Sequence, residues 1–222
     1  MSQQPRTQST KATKAAKSAK ATKATKSSTS SQSVRSYVAF WKPTGPDGIY
    51  SQWYMSKITL DDRIRSSLPS EITDLRLFTD YPDVIRNLNG TYNCAEQFMM
   101  AGKSYLFDDE VTALKIRSEV NPSRHKKLGR TVQNFDNNTW SAYCTDIVTL
   151  GSYLKFSQNK PLKREMLKTA EATLIEGSPM DRIWGVGLRY DDLKISDPKN
   201  WKGQNLLGEC LMTARKIILN EE

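Results

Sequence analysis

From Tyr37 onward, apolar residues recur with two spacings that predict different elements. Val38-Ala39-Phe40-Trp41 is a short unbroken apolar run and reads as a strand. Gly45-Pro46-Asp47-Gly48 is a turn, and Ile49–Tyr54 follows with Tyr50, Trp53 and Tyr54 close together. Residues 61–89 are polar with scattered apolar positions and predict no regular element. Gly90-Thr91-Tyr92 leads to a helix, with Asn93 as N-cap and Glu96 three positions on as its capping-box partner. That helix runs through Phe98, Met99 and Met100 to about Tyr105. A second helix follows Asp108-Asp109 and carries Lys115 and Arg117 near its end, as the helix dipole favours. Pro122 opens a third, stopped by Gly129. From Asn138 the positions Trp140, Tyr143, Ile147, Leu150 and Leu154 form one helical face. Pro161 opens another helix through Leu162, Met166 and Leu167. Thr173-Leu174-Ile175 reads as a short strand, residues 191–202 as a loop, and Asn205 opens a last helix with Leu207, Leu211, Ala214 and Ile218 on one face. The expected fold is α+β: a mainly helical single domain with a few short strands.

The first 36 residues break this pattern. They are rich in Lys, Ala, Ser and Thr, with a lysine every third residue from Lys11 to Lys26, and they hold no acid. Such a segment cannot bury enough surface to order itself, so residues 1–36 read as a disordered basic tail and 37–222 as the folded domain. The tail carries +8 of the net charge of +9, which leaves the domain nearly neutral. A flexible polycation suits sequence-blind contact with nucleic-acid phosphates; a solubilising or targeting extension is the alternative. Cys94, Cys144 and Cys210 are far apart and no CxxC spacing occurs. With His125 as the one histidine, no metal and no cofactor is expected, and the thiols read as free and buried in a reducing intracellular compartment, cytoplasm or nucleus. No apolar run reaches membrane-spanning length, so no membrane partner is expected.

The densest chemistry lies in Ser178-Pro-Met-Asp181-Arg182-Ile-Trp184-Gly185-Val-Gly187. Gly185 and Gly187 permit a tight bend or close backbone approach to a ligand; the indole of Trp184 can stack on a heterocycle. Asp181 can act as acid, base or acceptor, and Arg182 can fork onto a carboxylate or phosphate. The other reading is a tight turn with Trp184 as a core anchor. Glu96 and Lys103 lie seven residues apart, on one face of their helix about 10 Å from each other. Glu96 can be a general acid or base, and a desolvated Lys103 an amine nucleophile; against this stand a plain capping box and a solvated lysine. Lys155, near the end of a long helix, can hold a phosphate or only answer the dipole. Asn205 is a natural N-cap whose helix start can also take a polar or anionic ligand. His125, among Arg124, Lys126 and Lys127, reads as an exposed surface histidine.

Taken in order, these segments resemble the NADAR family of YbiA-type N-glycosidases. The resemblance runs from Tyr92-Asn-Cys-Ala-Glu96 through Lys103, Asn121-Pro122, Leu128-Gly129-Arg130, Trp140 and Lys155-Phe-Ser-Gln-Asn159. It continues through Leu174-Ile175-Glu176-Gly-Ser178-Pro-Met-Asp181-Arg182-Ile-Trp184-Gly185-Val-Gly187 and Trp201-Lys-Gly203-Gln204-Asn205. It implies a compact, mostly helical fold and cleavage of an N-glycosidic bond to ribose. It also adds weight to Glu96, Lys103, Asp181 and Trp184. The family's aromatic-rich start, commonly Leu-Ser-Asn-Phe, stands here as Tyr50-Ser51-Gln52-Trp53-Tyr54, which makes Trp53 a binding candidate. A Thr-Gly pair usual before the strand is Thr169-Ala170, and residues 61–89 look like an insertion.

Two substrates follow from the resemblance. One is a ribosylamino-pyrimidine phosphate of riboflavin biosynthesis, hydrolysed to base and ribose 5-phosphate. The other is ADP-ribose on guanine in nucleic acid, with a lysine Schiff base and with the tail raising local substrate concentration. A non-catalytic ADP-ribose binding module is the third reading. All place catalysis or binding on Glu96, Lys103 and Asp181, with Trp184, Gly185, Gly187, Arg182, Lys155, Asn205 and Trp53 as contacts.

Overall fold

The computed structural model describes residues 35–221; the expectation of a disordered tail therefore lies almost wholly outside the described residues. Strand β1 is Tyr37–Phe40, β2 is Ile58–Leu60, β3 is Gly90–Tyr92 and β4 is Thr173–Glu176. They form two small sheets. β1 runs parallel to β4 with Phe40 opposite Glu176, and β2 runs antiparallel to β3 with Ile58 opposite Tyr92.

Residues 61–89 are not structureless. They fold into four short helices, α1 (Asp62–Ser66), α2 (Ser70–Thr73), α3 (Arg76–Asp80) and α4 (Pro82–Asn87). None is long enough to display a 3.6-residue period. Of their apolar residues, Ile72, Leu77, Val84 and Ile85 are buried in the main core, and Ile64 and Phe78 pack against it partly buried. Burial supports α2, α3 and α4, while α1 buries no residue and starts on a local cap, Asp61 accepting the Ile64 N–H.

The longer helices follow the expected periodicity: α5 (Ala95–Leu106), α6 (Glu110–Ser118), α7 (Pro122–Gly129), α8 (Asn137–Gln158), α9 (Lys160–Leu167) and α10 (Leu206–Asn220). Asp109, Asn121 and Asp136 cap their helices by accepting backbone N–H bonds from Thr112, Ser123 and Thr139. The core is centred on α5, α8 and α10, with Phe98, Ile147, Leu150, Leu154, Leu211 and Ala214 fully or almost fully buried. The first two of these helices approach closely because Gly102 lies against Ile147 and Gly151 against Phe98, where a Cβ would sit within 3 Å of the neighbouring side chain. Ile175, Val186, Leu188 and Ile195 make a second, smaller cluster against Trp201. The β1–β4 pair thus has apolar packing from helices and from the loop after β4. The result is α+β, as expected.

Cys94, Cys144 and Cys210 are free and buried. His125 corrects the sequence reading. It is fully buried, with Nε2 2.9 Å from the Glu119 carbonyl and Nδ1 3.7 Å from Cys94 Sγ, and burial lowers its pKa. Among the described residues no group of three or more His, Cys, Asp and Glu could hold a metal ion, and no helix is long and apolar enough to cross a membrane.

Candidate active site

A cavity of about 480 Å³ opens where α5, α7, the segment after β1 and the loop after β4 converge. Helix α5 supplies Glu96, Met99, Met100 and Lys103; the loop supplies Ser178, Asp181 and Trp184. The structure therefore brings the acid and amine of the early helix and the later indole around one space. Trp53 lines it too, with Trp41 and Trp140.

Glu96 reaches this cavity because it does not cap its helix. The N-cap is Cys94, and the reciprocal bond expected from Glu96 is made by Gln97, whose Oε1 accepts from the Asn93 backbone N–H at 2.7 Å. Gln97 Nε2 meanwhile binds the carbonyls of Ile116, Arg117 and Glu119. The Glu96 backbone N–H donates to the Gln52 carbonyl at 3.0 Å, and the Trp53 indole donates to the Glu96 carboxyl. Burial pushes the Glu96 pKa up to about 7; Asp181 adds to the rise, while Lys126, the Trp53 hydrogen bond and Arg130 oppose it.

Asp181 is oriented by its own loop. Oδ1 accepts the backbone N–H groups of Ile183 and Trp184 at 3.0 and 2.9 Å, and Oδ2 lies 3.8 Å from Lys126 Nζ. Lys103 is half-buried. Its Nζ donates to the Gly129 carbonyl at 2.8 Å and sits 4.1 and 5.4 Å from the ring centres of Phe135 and Trp140. Burial lowers its pKa, which favours the neutral, nucleophilic amine.

Several expected contacts are built into the protein instead. Lys155 is not a phosphate ligand. It is 1% exposed, and its Nζ donates to the carbonyls of Ile49 and Ser51 at 2.5 and 2.9 Å. Burial pulls its pKa down to about 7, although two carbonyl acceptors favour the ammonium form. It fixes the segment that carries Gln52 and Trp53. Asn205 is fully buried, with Oδ1 accepting from the Glu176 N–H and Nδ2 donating to the Leu174 carbonyl, so its amide is used to clamp β4. The helix start it was expected to offer is also used, because Leu206 and Leu207 donate to the Ile183 and Trp184 carbonyls.

Gly185 and Gly187 are not among the residues that line this cavity. Gly187 has φ +69°, and Gly185 lies against Gly203, where a Cβ on Gly203 would come within 2.3 Å of the Gly185 carbonyl. The bend is thus packed against segment 201–207. Arg182 is exposed and outside the cavity lining.

Other groups had no role assigned from the sequence, although Arg130 and Glu176 stand in the motifs that resemble the family. Glu176, Lys126, Arg130 and Lys42 all face the cavity. Glu176 had one visible signal: it ends the strand immediately before the dense loop. Its pKa is pushed up to about 8 by burial and then by Asp181 and Glu96, with Lys126 opposing. Lys126 is three residues before Gly129 on the helix that crosses α5, a relation invisible without the fold.

The NADAR domain family matches residues 39–219. N-glycosidase R617 of Acanthamoeba polyphaga mimivirus is 44% identical over 126 residues, which is 56% of this chain and 74% of that protein. The riboflavin biosynthesis protein VVA0006 of Vibrio vulnificus is 26% identical over 138 residues, which is 62% of this chain and 34% of that longer protein. The NMR structure of E. coli YbiA superposes with a TM-score of 0.59 at 21% identity, covering 84% of this chain and 88% of that one, and so shares the fold. With a family match across almost the whole described domain and a shared fold, the chain belongs to the NADAR family.

Proposed function

We propose that the chain hydrolyses the N-glycosidic bond of ribosylamino-pyrimidine phosphates, releasing the base and ribose 5-phosphate. A hydrolase acting on N-glycosyl bonds agrees with a relative named as an N-glycosidase, and a riboflavin-linked substrate with another relative's name. The observation that carries the reading is the cavity itself. It combines carboxyls at Glu96, Glu176 and Asp181 with the half-buried amine of Lys103 and the indoles of Trp41, Trp53, Trp140 and Trp184.

Each part has a task. An indole face stacks on the pyrimidine. Lys42, Lys126 and Arg130 supply positive charge for the phosphate, in place of Lys155 and Arg182. Lys103 is the amine that can attack C1′, and Asp181, held by two N–H groups and Lys126, accepts the proton released there. Glu96 sits close to its midpoint at neutral pH and can give or take a proton. The volume falls in the range of small-ligand sites.

The test supplies a ribosylamino-pyrimidine phosphate and an ADP-ribosyl-guanine substrate side by side and identifies products by mass spectrometry. Ribose 5-phosphate and free pyrimidine are expected from the first. Release of guanine alone moves the assignment to ADP-ribosyl-guanine, and no release from either sinks the N-glycosidase reading. Lys103→Met is expected to lower turnover by about 100-fold or more with little change in thermal stability.

A further inference from the structure

Of the three carboxyls in the cavity wall, Glu176 has an oxygen that nothing claims. Asp181 is bonded to two backbone N–H groups and faces Lys126, and Glu96 receives the Trp53 indole. Glu176 Oε2, by contrast, is withdrawn from solvent and has no hydrogen-bond partner among the described residues. A buried carboxylate oxygen without a donor is unfavourable. A protonated carboxyl in the same place is a donor waiting for an acceptor. The backbone beneath it is rigid: the Glu176 N–H donates to Asn205 Oδ1, and its carbonyl accepts from both Ser178 and Val186 at 3.0 Å. The side chain thus enters from a fixed strand end. Asp181 from its own loop, Lys126 from α7 and Glu96 from α5 are the charged groups around it, with Lys42, Lys103 and Arg130 elsewhere in the same wall.

We propose that Glu176 is the catalytic acid that hands a proton to the nitrogen of the departing base, an assignment that rests on the N-glycosidase reading. As the C1′–N bond breaks, its electron pair stays on nitrogen and the carboxyl proton of Glu176 moves to that nitrogen. The new bond at C1′ comes from Lys103 Nζ or from water, and the proton displaced from that nucleophile goes to Asp181. Where Lys103 attacked, water then adds at C1′ as the C1′–Nζ bond breaks, its oxygen staying on the sugar and one of its protons going to Nζ; the proton on Asp181 returns to Glu176, and the site is reset. Burial keeps the Glu176 proton in place at neutral pH and releases it only near pH 8.

The experiment measures kcat and KM from pH 5 to 10 for the full chain and for Glu176→Gln, with thermal melting of both. The wild type is expected to lose kcat on an alkaline limb near pH 8. The variant is expected to lose about 100-fold or more in kcat, to keep KM within about threefold, and to show no alkaline limb. Variant turnover within threefold of wild type, or an unchanged limb, overturns the assignment while leaving the N-glycosidase reading intact. A wild type that cleaves no N-ribosyl substrate overturns both. If Glu176→Gln fails to fold, Glu176→Asp decides: a retained but slowed activity with a shifted limb supports the acid role, and wild-type kcat with an unshifted limb removes it.

Discussion

Lys155 and Asn205 carry the right chemistry for binding a ligand, yet both spend every polar atom on the backbone of neighbouring segments. Glu96 was found because helical spacing aligned it with Lys103. Glu176 stands in the family motif, but a glutamate at a strand end shows no role until three other elements enclose it. One departure from the family pattern has a measurable effect. Ala170, where the family usually has glycine, adopts φ 45°, a left-handed conformation unfavourable for a residue with a Cβ. Arg215 secures that turn by donating to Thr169 Oγ1 and the Ala172 carbonyl. Ala170→Gly is therefore expected to raise stability by about 0.5–1 kcal/mol in urea unfolding, with kcat unchanged; a loss of stability would mean the turn carries no strain.

At the level of elements, helices of eight residues or more announced themselves by period and caps, while short ones did not. The β2–β3 pair was also hidden, since strands of three residues show no alternation. What completes β2 is a side chain. Thr59 N–H donates to Gln158 Oε1 at 2.9 Å, and Gln158 Nε2 donates back to the Thr59 carbonyl at 2.6 Å, while Asn159 Nδ2 binds the Lys57 carbonyl. The end of α8 thus imitates a third strand and covers an edge that would otherwise be open. Gln158→Ala is expected to cost about 1 kcal/mol and to speed amide exchange at Thr59 more than at residues of α10. Equal exchange at Thr59 in both proteins would show that the amide contributes nothing to the edge.

For the whole molecule, the cavity is a place where stability is traded for reactivity. Glu96 and Glu176 have folded pKa values of about 7 and about 8, raised by burial above the unfolded carboxyl value near 4.5. Between about pH 4.5 and 8 the folded chain holds protons that the unfolded chain has released, so stability attributable to these groups is present at low pH and lost as pH rises. Lys155 acts in the opposite direction above pH 7, since its pKa is lowered, but that contribution cancels between proteins that share it. The Glu96→Gln/Glu176→Gln double variant is therefore expected to melt at least about 3 °C above wild type at pH 8, with a smaller gap at pH 5. A gap that does not widen with pH would show that burial of these carboxyls is not what strains the site.

The clamp from Asn205 onto β4 also has a bearing on biosynthesis. Glu176 is held in place by a residue made almost thirty positions later, just ahead of the final helix, while its partner strand β1 was made long before. A chain still emerging from the ribosome without that last helix has the amine and acids of its middle portion but lacks the clamp that holds Glu176. On the proposed acid role of Glu176, a chain truncated before Asn205 is therefore expected to lose turnover rather than selectivity.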